Sequence, residues 1–221
     1  MSRHLIDLLD DLKTRVARMS ALVQQIVERA IDAVLESDSE LARRTILEDE
    51  RIDDEEVLVE KAAIDLLALH QPAAGDLRLI TSVIKANSDL ERIADCAVNV
   101  AQRVLMLPKG GEFEPPDDMR LMCTSVVANL RDAVKAFNLG DVDLAKQVVR
   151  NDDIVDALYH QIVQDMLARM EQSGGGYDAS TQLANVMIAK NLERTADHCT
   201  NIAEDVIYVQ SGRIVRHRHA V

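Results

Sequence analysis

The chain has 221 residues, a formal net charge of −13 and only 2% aromatic residues. That charge argues against a nucleic-acid partner, because phosphate backbones are bound by basic faces. Few aromatics and few glycines disfavour sandwiches and barrels, whereas abundant Ala, Leu, Val, Glu and Arg favour a helical bundle. No stretch of 18 apolar residues is present to span a membrane, and the acids within Met1–Lys13 do not suit a signal peptide. Cys96, Cys123 and Cys199 show no CxxC spacing. They read as reduced core thiols in a cytoplasm.

In chain order, Leu5, Leu9, Leu12, Val16, Met19, Val23, Ile26 and Ala30 recur at alternating spacings of four and three. This heptad seam predicts a helix over 5–35. The seam is read as core, with a homodimer interface as the alternative. Ser37 and Asp38 supply turn and cap chemistry for one helix over 39–69, whose first half is crowded with Glu48, Asp49, Glu50, Asp53, Asp54, Glu55 and Glu56. The His70–Gly75 segment breaks the chain before a third helix reaching Leu107. Residues 108–116 form a linker by composition. Three more helices follow, over about 117–138, then to about Gln172, then about 178–211, with Gly140 and Asp141 between the first two and a glycine run before the last. The tail from Arg213 is basic and reads as a solvated end.

The chain repeats itself. LERIADCAVNVA at Leu90–Ala101 returns as LERTADHCTNIA at Leu192–Ala203, with seven of twelve positions identical at an offset of 102. Ser37–Ala42 likewise matches Gly140–Ala145 at an offset of 103. The expectation is an all-α protein of six long helices, built as two tandem pseudosymmetric three-helix bundles over 1–107 and 117–221.

Residues four apart share a helix face. Glu91, Asp95 and Asn99 therefore form one oxygen-bearing stripe, and Glu193, Asp197 and Asn201 form its copy. The preceding helix adds Asp49 with Asp53 in the first half and Asp152 with Asp156 in the second. Asp53 lies about 19 residues before the intervening loop and Glu91 about 19 after it, and the second half repeats this spacing to within about one residue. The two acid pairs of each half thus sit at one height on antiparallel neighbours. Converging carboxylates repel unless a cation joins them, and an all-oxygen set suits magnesium, manganese, calcium or iron and tolerates zinc. Solvated helix faces, with Arg51, Arg92 and Arg194 paired locally, are the alternative. His198 lies one residue off the stripe and reads as a packed side chain more readily than as a ligand.

Ferritin-like oxidase chemistry is disfavoured, since no histidine has Glu three positions before it. No Gly-rich phosphate loop, GxSxG or HExxH motif is present.

The two three-helix halves, with Glu91–Asp95 and Glu193–Asp197 as E-R-x-A-D on their third helices, resemble the PhoU family. The segment leading to Asp53 and the stretch from Asn191 fit it too, so the likeness covers essentially the whole chain. The resemblance implies a cytoplasmic negative regulator of the phosphate-starvation response, without catalysis. Its implied partners are the ATPase subunit of a phosphate ABC transporter and a membrane-bound sensor histidine kinase. It also implies divalent or trivalent metal ions, iron or zinc among them, at Asp49, Asp53, Glu91 and Asp95 and at Asp152, Asp156, Glu193 and Asp197, with Asn99 and Asn201 extending the pattern. The Asn151–Asp156 segment has fewer acids than its counterpart, which predicts a second site that is weaker or of different nuclearity. A metal-dependent phosphate-handling hydrolase is the rival reading of the same acids.

Overall fold

A computed structural model describes residues 3–108, 114–173 and 177–215. Among the described residues every regular element is helical: α1 (Arg3–Glu36), α2 (Ser39–Ile46), α3 (Asp49–His70), α4 (Ala74–Val104), α5 (Asp117–Leu139), α6 (Val142–Ser173) and α7 (Tyr177–Ser211). These seven segments fill six helical positions, because α2 and α3 together take the place expected of one helix. Most of the 108–116 linker, the glycine run and the basic tail from Arg216 lie outside the described residues.

The repeat is visible in atomic detail at the turn after the first helix of each half. Ser37 (φ 54°) and Gly140 (φ 66°) hold the same left-handed conformation. Asp38 N–H then closes on Ala33 O and Asp141 N–H on Ala136 O, both at 3.0 Å. Asp38 Oδ1 accepts from the N–H groups of Glu40 and Leu41, and Asp141 Oδ1 from those of Asp143 and Leu144. Each aspartate thereby satisfies two of the N–H groups that a helix start leaves open. The bonds to Leu41 and Glu40 also hold the Asp38 carboxyl below its ordinary pKa.

The halves differ where the second helix crosses residues 46–49. There Leu47 N–H bonds Arg44 O at 3.2 Å and Glu48 N–H bonds Thr45 O at 3.1 Å. These tightened bonds end α2 and let α3 begin at Asp49, whereas α6 runs unbroken through the matching stretch. Thr45 donates its hydroxyl to Leu41 O, a side-chain bond that bends helices. Its repeat counterpart is Val148, which has no hydroxyl. Asp49 and Glu50 also favour a fresh N-terminus, where free N–H groups attract acids.

The heptad seam of α1 is buried from Leu9 through Ala30. It joins one continuous core that runs through both halves. At the centre α4 packs on α7. Lys85 meets Asp205, Asp89 meets Asn201, and Cys96 meets Thr195, so α4 ascends as α7 descends. In that register Ala94 and Ala196, the same position of the repeat, fall at the same height, and both are buried in the core.

Ala94→Leu and Ala196→Leu should each lower stability by about 1–3 kcal/mol through overpacking. Ala68→Leu on the exposed face of α3 should stay within about 0.5 kcal/mol of wild type. Urea denaturation of the three variants checks this. Equal midpoints for all of them would show that the core is not closely packed at Ala94 and Ala196.

Candidate metal centre

The first acid group is placed by α3 and α4. Asn87, buried on α4, donates its side-chain amide to the backbone carbonyl of Glu56 on α3 at 2.9 Å. That one bond sets the register of two antiparallel helices. Counting from it, Asp53 comes opposite Glu91, and Asp49 opposite Asp95. Their electrostatics agree. The Asp49 carboxyl is raised first by burial and then by Asp53 and Asp95. Glu91 is pushed up to about 7 by burial, by Asp95 and further by Glu56 and Asp53, against a lowering pull from Arg92. α6 and α7 build the second group in the same register. Asp152 is pushed up to about 7 by burial and then by Asp156, Asp197, Asp153 and Glu193. Burial and Glu193 raise both Asp156 and Asp197.

The structure therefore brings together the eight carboxylates in two groups of four. It adds Glu56 to the first group and Asp153 to the second. Glu56 is itself raised by burial, Glu60 and Asp53. The Asn151–Asp156 segment has fewer acids than its counterpart, but with Asp153 the second group holds as many carboxylates as the first.

Each group has its own cation. Arg92 reaches Asp95 Oδ2 from Nη1 at 3.2 Å. Its Nε lies 3.3 Å from Glu91 Oε2, but the approach is not that of a hydrogen bond, and Oε2 is buried without a hydrogen-bond partner. In the second group Lys190 donates to both carboxylate oxygens of Glu193, at 2.8 and 2.6 Å. Its ammonium also sits over the Tyr159 ring. Asp152 Oδ1 is the orphaned oxygen there.

The donor set fits a hard cation in its chemistry. The oxygens are anionic, mutually repelling and, at Glu91 and Asp152, buried without a donor. Among the described residues, however, no three His, Cys, Asp or Glu side chains converge closely enough to chelate one ion. The acids are gathered but not closed.

Asn99 lies half-buried one turn beyond Asp95. Asn201 is committed elsewhere, contrary to its expected place in the ligand stripe. Its amide donates to Asp89 Oδ1 at 3.1 Å, and His198 Nδ1 meets the same oxygen at 2.8 Å. Asp89 and His198 are largely buried between α4 and α7, so both Asn201 and His198 serve the joint between the halves. All three cysteines are free and buried. Burial pushes the Cys96 and Cys199 thiols up, and Cys123 up to about 12, which leaves them unreactive.

The sequence pattern of the PhoU domain matches the chain twice, over residues 16–104 and 119–206. The chain belongs to the PhoU family. Its relatives include the phosphate-specific transport system accessory protein PhoU homolog of Aquifex aeolicus, 37% identical over 96% of this chain and 95% of that one. The accessory protein PhoU of Escherichia coli is 31% identical over 95% of this chain and 86% of its own length. The crystal structure of PhoU from Pseudomonas aeruginosa superposes with a TM-score of 0.88 at 34% identity, covering 94% of this chain and 99% of that one. The phosphate transport system regulatory protein PhoU of Streptococcus pneumoniae gives 0.85 at 27% identity, over 95% and 98%.

Within this PhoU-family fold, two residues close to the acids had a readable sequence signal that the acid stripes overshadowed. Glu56 lies three residues after Asp53, on the same side of α3. Lys190 stands three before Glu193, at ion-pair spacing. Asp89 had no such signal, because its partners are 109 and 112 residues away.

The raised carboxyls fix a sign. An acid whose folded pKa exceeds its unfolded value binds its proton more readily when folded, so stability is highest at low pH and falls as pH rises toward about 7. Metal-free protein should therefore be less stable at pH 8 than at pH 5.5, on the order of 1 kcal/mol for each of Glu91 and Asp152 after solvent screening. Glu91→Gln combined with Asp152→Asn should flatten that slope in thermal melts with chelator. A variant slope as steep as wild type would assign the pH dependence to other groups.

Proposed function

We propose that this protein is a non-catalytic accessory regulator of phosphate uptake. In this reading it binds metal at its two acid groups and links a phosphate transporter to a sensor kinase that controls phosphate-starvation genes. The relatives' names support the phosphate role. The observation that carries the metal reading is the pair of repeat-related acid groups, each with a buried carboxylate oxygen left without a donor, at Glu91 and Asp152.

Asp49, Asp53, Glu91 and Asp95 would hold metal in the first half, and Asp152, Asp156, Glu193 and Asp197 in the second. A bound ion would supply positive charge and open coordination positions there. Without it, the carboxylates of α3 repel those of α4, and the carboxylates of α6 repel those of α7. Closing the gap between them requires either protons or a cation. A partner that recognises the closed, neutralised face shifts the population toward it by its differential affinity. A coupling of about 1–3 kcal/mol would change partner affinity roughly 5- to 150-fold. Arg92 and Lys190 bias the balance by partly neutralising the acids in the open state.

Elemental analysis of protein purified without a polyhistidine tag should find metal, and Glu91→Ala with Asp95→Ala should lose that of the first half while staying helical. Binding to the purified transporter ATPase and kinase domains should weaken when metal is chelated. Cells carrying Asp49, Asp53, Glu91 and Asp95 all changed to Asn should express a starvation-promoter reporter in phosphate-rich medium. Equal partner affinity with and without chelator, together with normal repression in the mutant, would show that signalling uses another surface. Turnover of phosphate esters by the metal-loaded protein would instead identify a hydrolase.

A further inference from the structure

A second kind of site lies beside the α2–α3 break. Here α1 and the residues around the start of α3 line an open cavity of about 140 Å³. Its apolar wall is Leu22, Ile26 and Ile52, and its polar groups are Gln25, Arg29, Arg51 and Glu48. Two arginines, Arg29 and Arg51, line one small cavity in a chain of net charge −13. Arg29 Nη1 is held by the Glu48 carboxylate, while no ion pair or hydrogen bond engages Arg51 among the described residues.

The volume narrows the ligand. It is well below the ~300 Å³ at which pockets begin to enclose drug-sized molecules, yet it exceeds the share of a few waters at ~30 Å³ each. Guanidinium forks match the oxygens of phosphate and carboxylate in a bidentate manner. The carboxylate of Glu48 already occupies one fork, as an internal substitute for such a ligand.

The duplication provides a comparison inside the molecule. At the offset of 103, Arg29 corresponds to Asp132, Glu48 to Asn151 and Arg51 to Ile154. All three charged groups change together, and the second half has neither guanidinium nor the competing carboxylate. The helix break that shapes the cavity is also confined to the first half. General helix solubility gives no reason for these three positions to differ as a set, whereas an anion site present in one half only does.

We infer that the Arg29–Arg51 cavity binds inorganic phosphate, and that Glu48 is a built-in competitor which the anion displaces from Arg29. Because Glu48 directly precedes Asp49, displacement acts at the first residue of the first acid group. The site rests on the cavity and the repeat comparison, and it does not depend on metal binding.

The test is equilibrium dialysis of the full-length, chelator-treated protein against radiolabelled inorganic phosphate at constant ionic strength, with sulfate and glycerol 3-phosphate as competitors. Wild type should bind about one phosphate per chain. Glu48→Gln, which removes the competing charge, should bind at least about threefold more tightly. Arg51→Ile, which installs the residue that the second half tolerates, should bind at least about tenfold more weakly, and Arg43→Gln on α2 should match wild type. Stronger competition by glycerol 3-phosphate than by unlabelled phosphate would replace the free ion with a phosphomonoester and overturn the assignment to inorganic phosphate. Absence of binding to both wild type and Glu48→Gln at about 10 mM phosphate, tenfold above a Kd of about 1 mM, overturns the site. So does an unchanged affinity in Arg51→Ile, whose circular dichroism and urea midpoint establish that it is folded.

Discussion

The packing of α4 against α7 is the constraint on which the remaining structure depends. These two helices carry the duplicated motif, and each buries its apolar side against the other's copy. An antiparallel pair of equivalent helices has one height at which equivalent positions coincide, and here it is that of Ala94 and Ala196. Both are buried, so larger side chains there would overpack the core that α1 and α5 complete from either side. Away from that point the interface is not symmetric. Asp89 receives His198 and Asn201, and Lys85 meets Asp205, whose side chain is only 3% exposed. Charged groups buried at a joint contribute less to net stability than to register, because a slipped pairing would leave them without partners.

The same helices divide their faces between two tasks. Along α4, Asp89 points into the joint with α7, while Glu91 and Asp95 look toward α3. Along α7, His198 and Asn201 serve the joint, while Glu193 and Asp197 look toward α6. Residues one or two apart on a helix lie on different faces. A short motif can therefore hold a structural polar contact and a ligand-type carboxylate without conflict. The Cys199 thiol, buried between them, feels the charges of both Asp152 and Asp89, which shows how thin the wall is between joint and acid group.

Much of this was legible in the sequence, for physical reasons. The heptad seam of α1 was readable because its core is apolar at a fixed period, and the height match of the acids because two straight antiparallel helices keep their register over many turns. The caps at Asp38 and Asp141 are local chemistry, repeated at one offset. The break after Ile46 was less visible. A run of good helix formers and acids passes through it, and only the Thr45 hydroxyl against Val148 in the other half marks the difference. Asn201 was assigned by its spacing from Asp197, but spacing gives only an approximate face, and a buried carboxylate on another helix competed for its amide. Contacts between the halves, such as Asp89 with His198, depend on how two helices pair and leave no periodic trace.

Duplication also makes the divergence between the halves informative. Glu56 in the first acid group has Tyr159 at its place in the second, and Ser88 stands where the second has Lys190. The consequence is electrostatic. Lys190 binds both oxygens of Glu193 and is held over the Tyr159 ring, so the second group is partly neutralised by a cation placed at its centre. In the first group Arg92 spans Glu91 and Asp95 but leaves one Glu91 oxygen buried without a donor, and Glu56 adds a further negative charge. Like charges that cannot all be solvated raise one another's pKa, and this is the state of Glu91. Two copies of one framework thus carry acid groups of similar number but different make-up. Each keeps one buried carboxylate oxygen without a donor, at Glu91 and at Asp152, so each gains from a proton or a cation, and only in the first half is the helix broken beside the group, at Asp49.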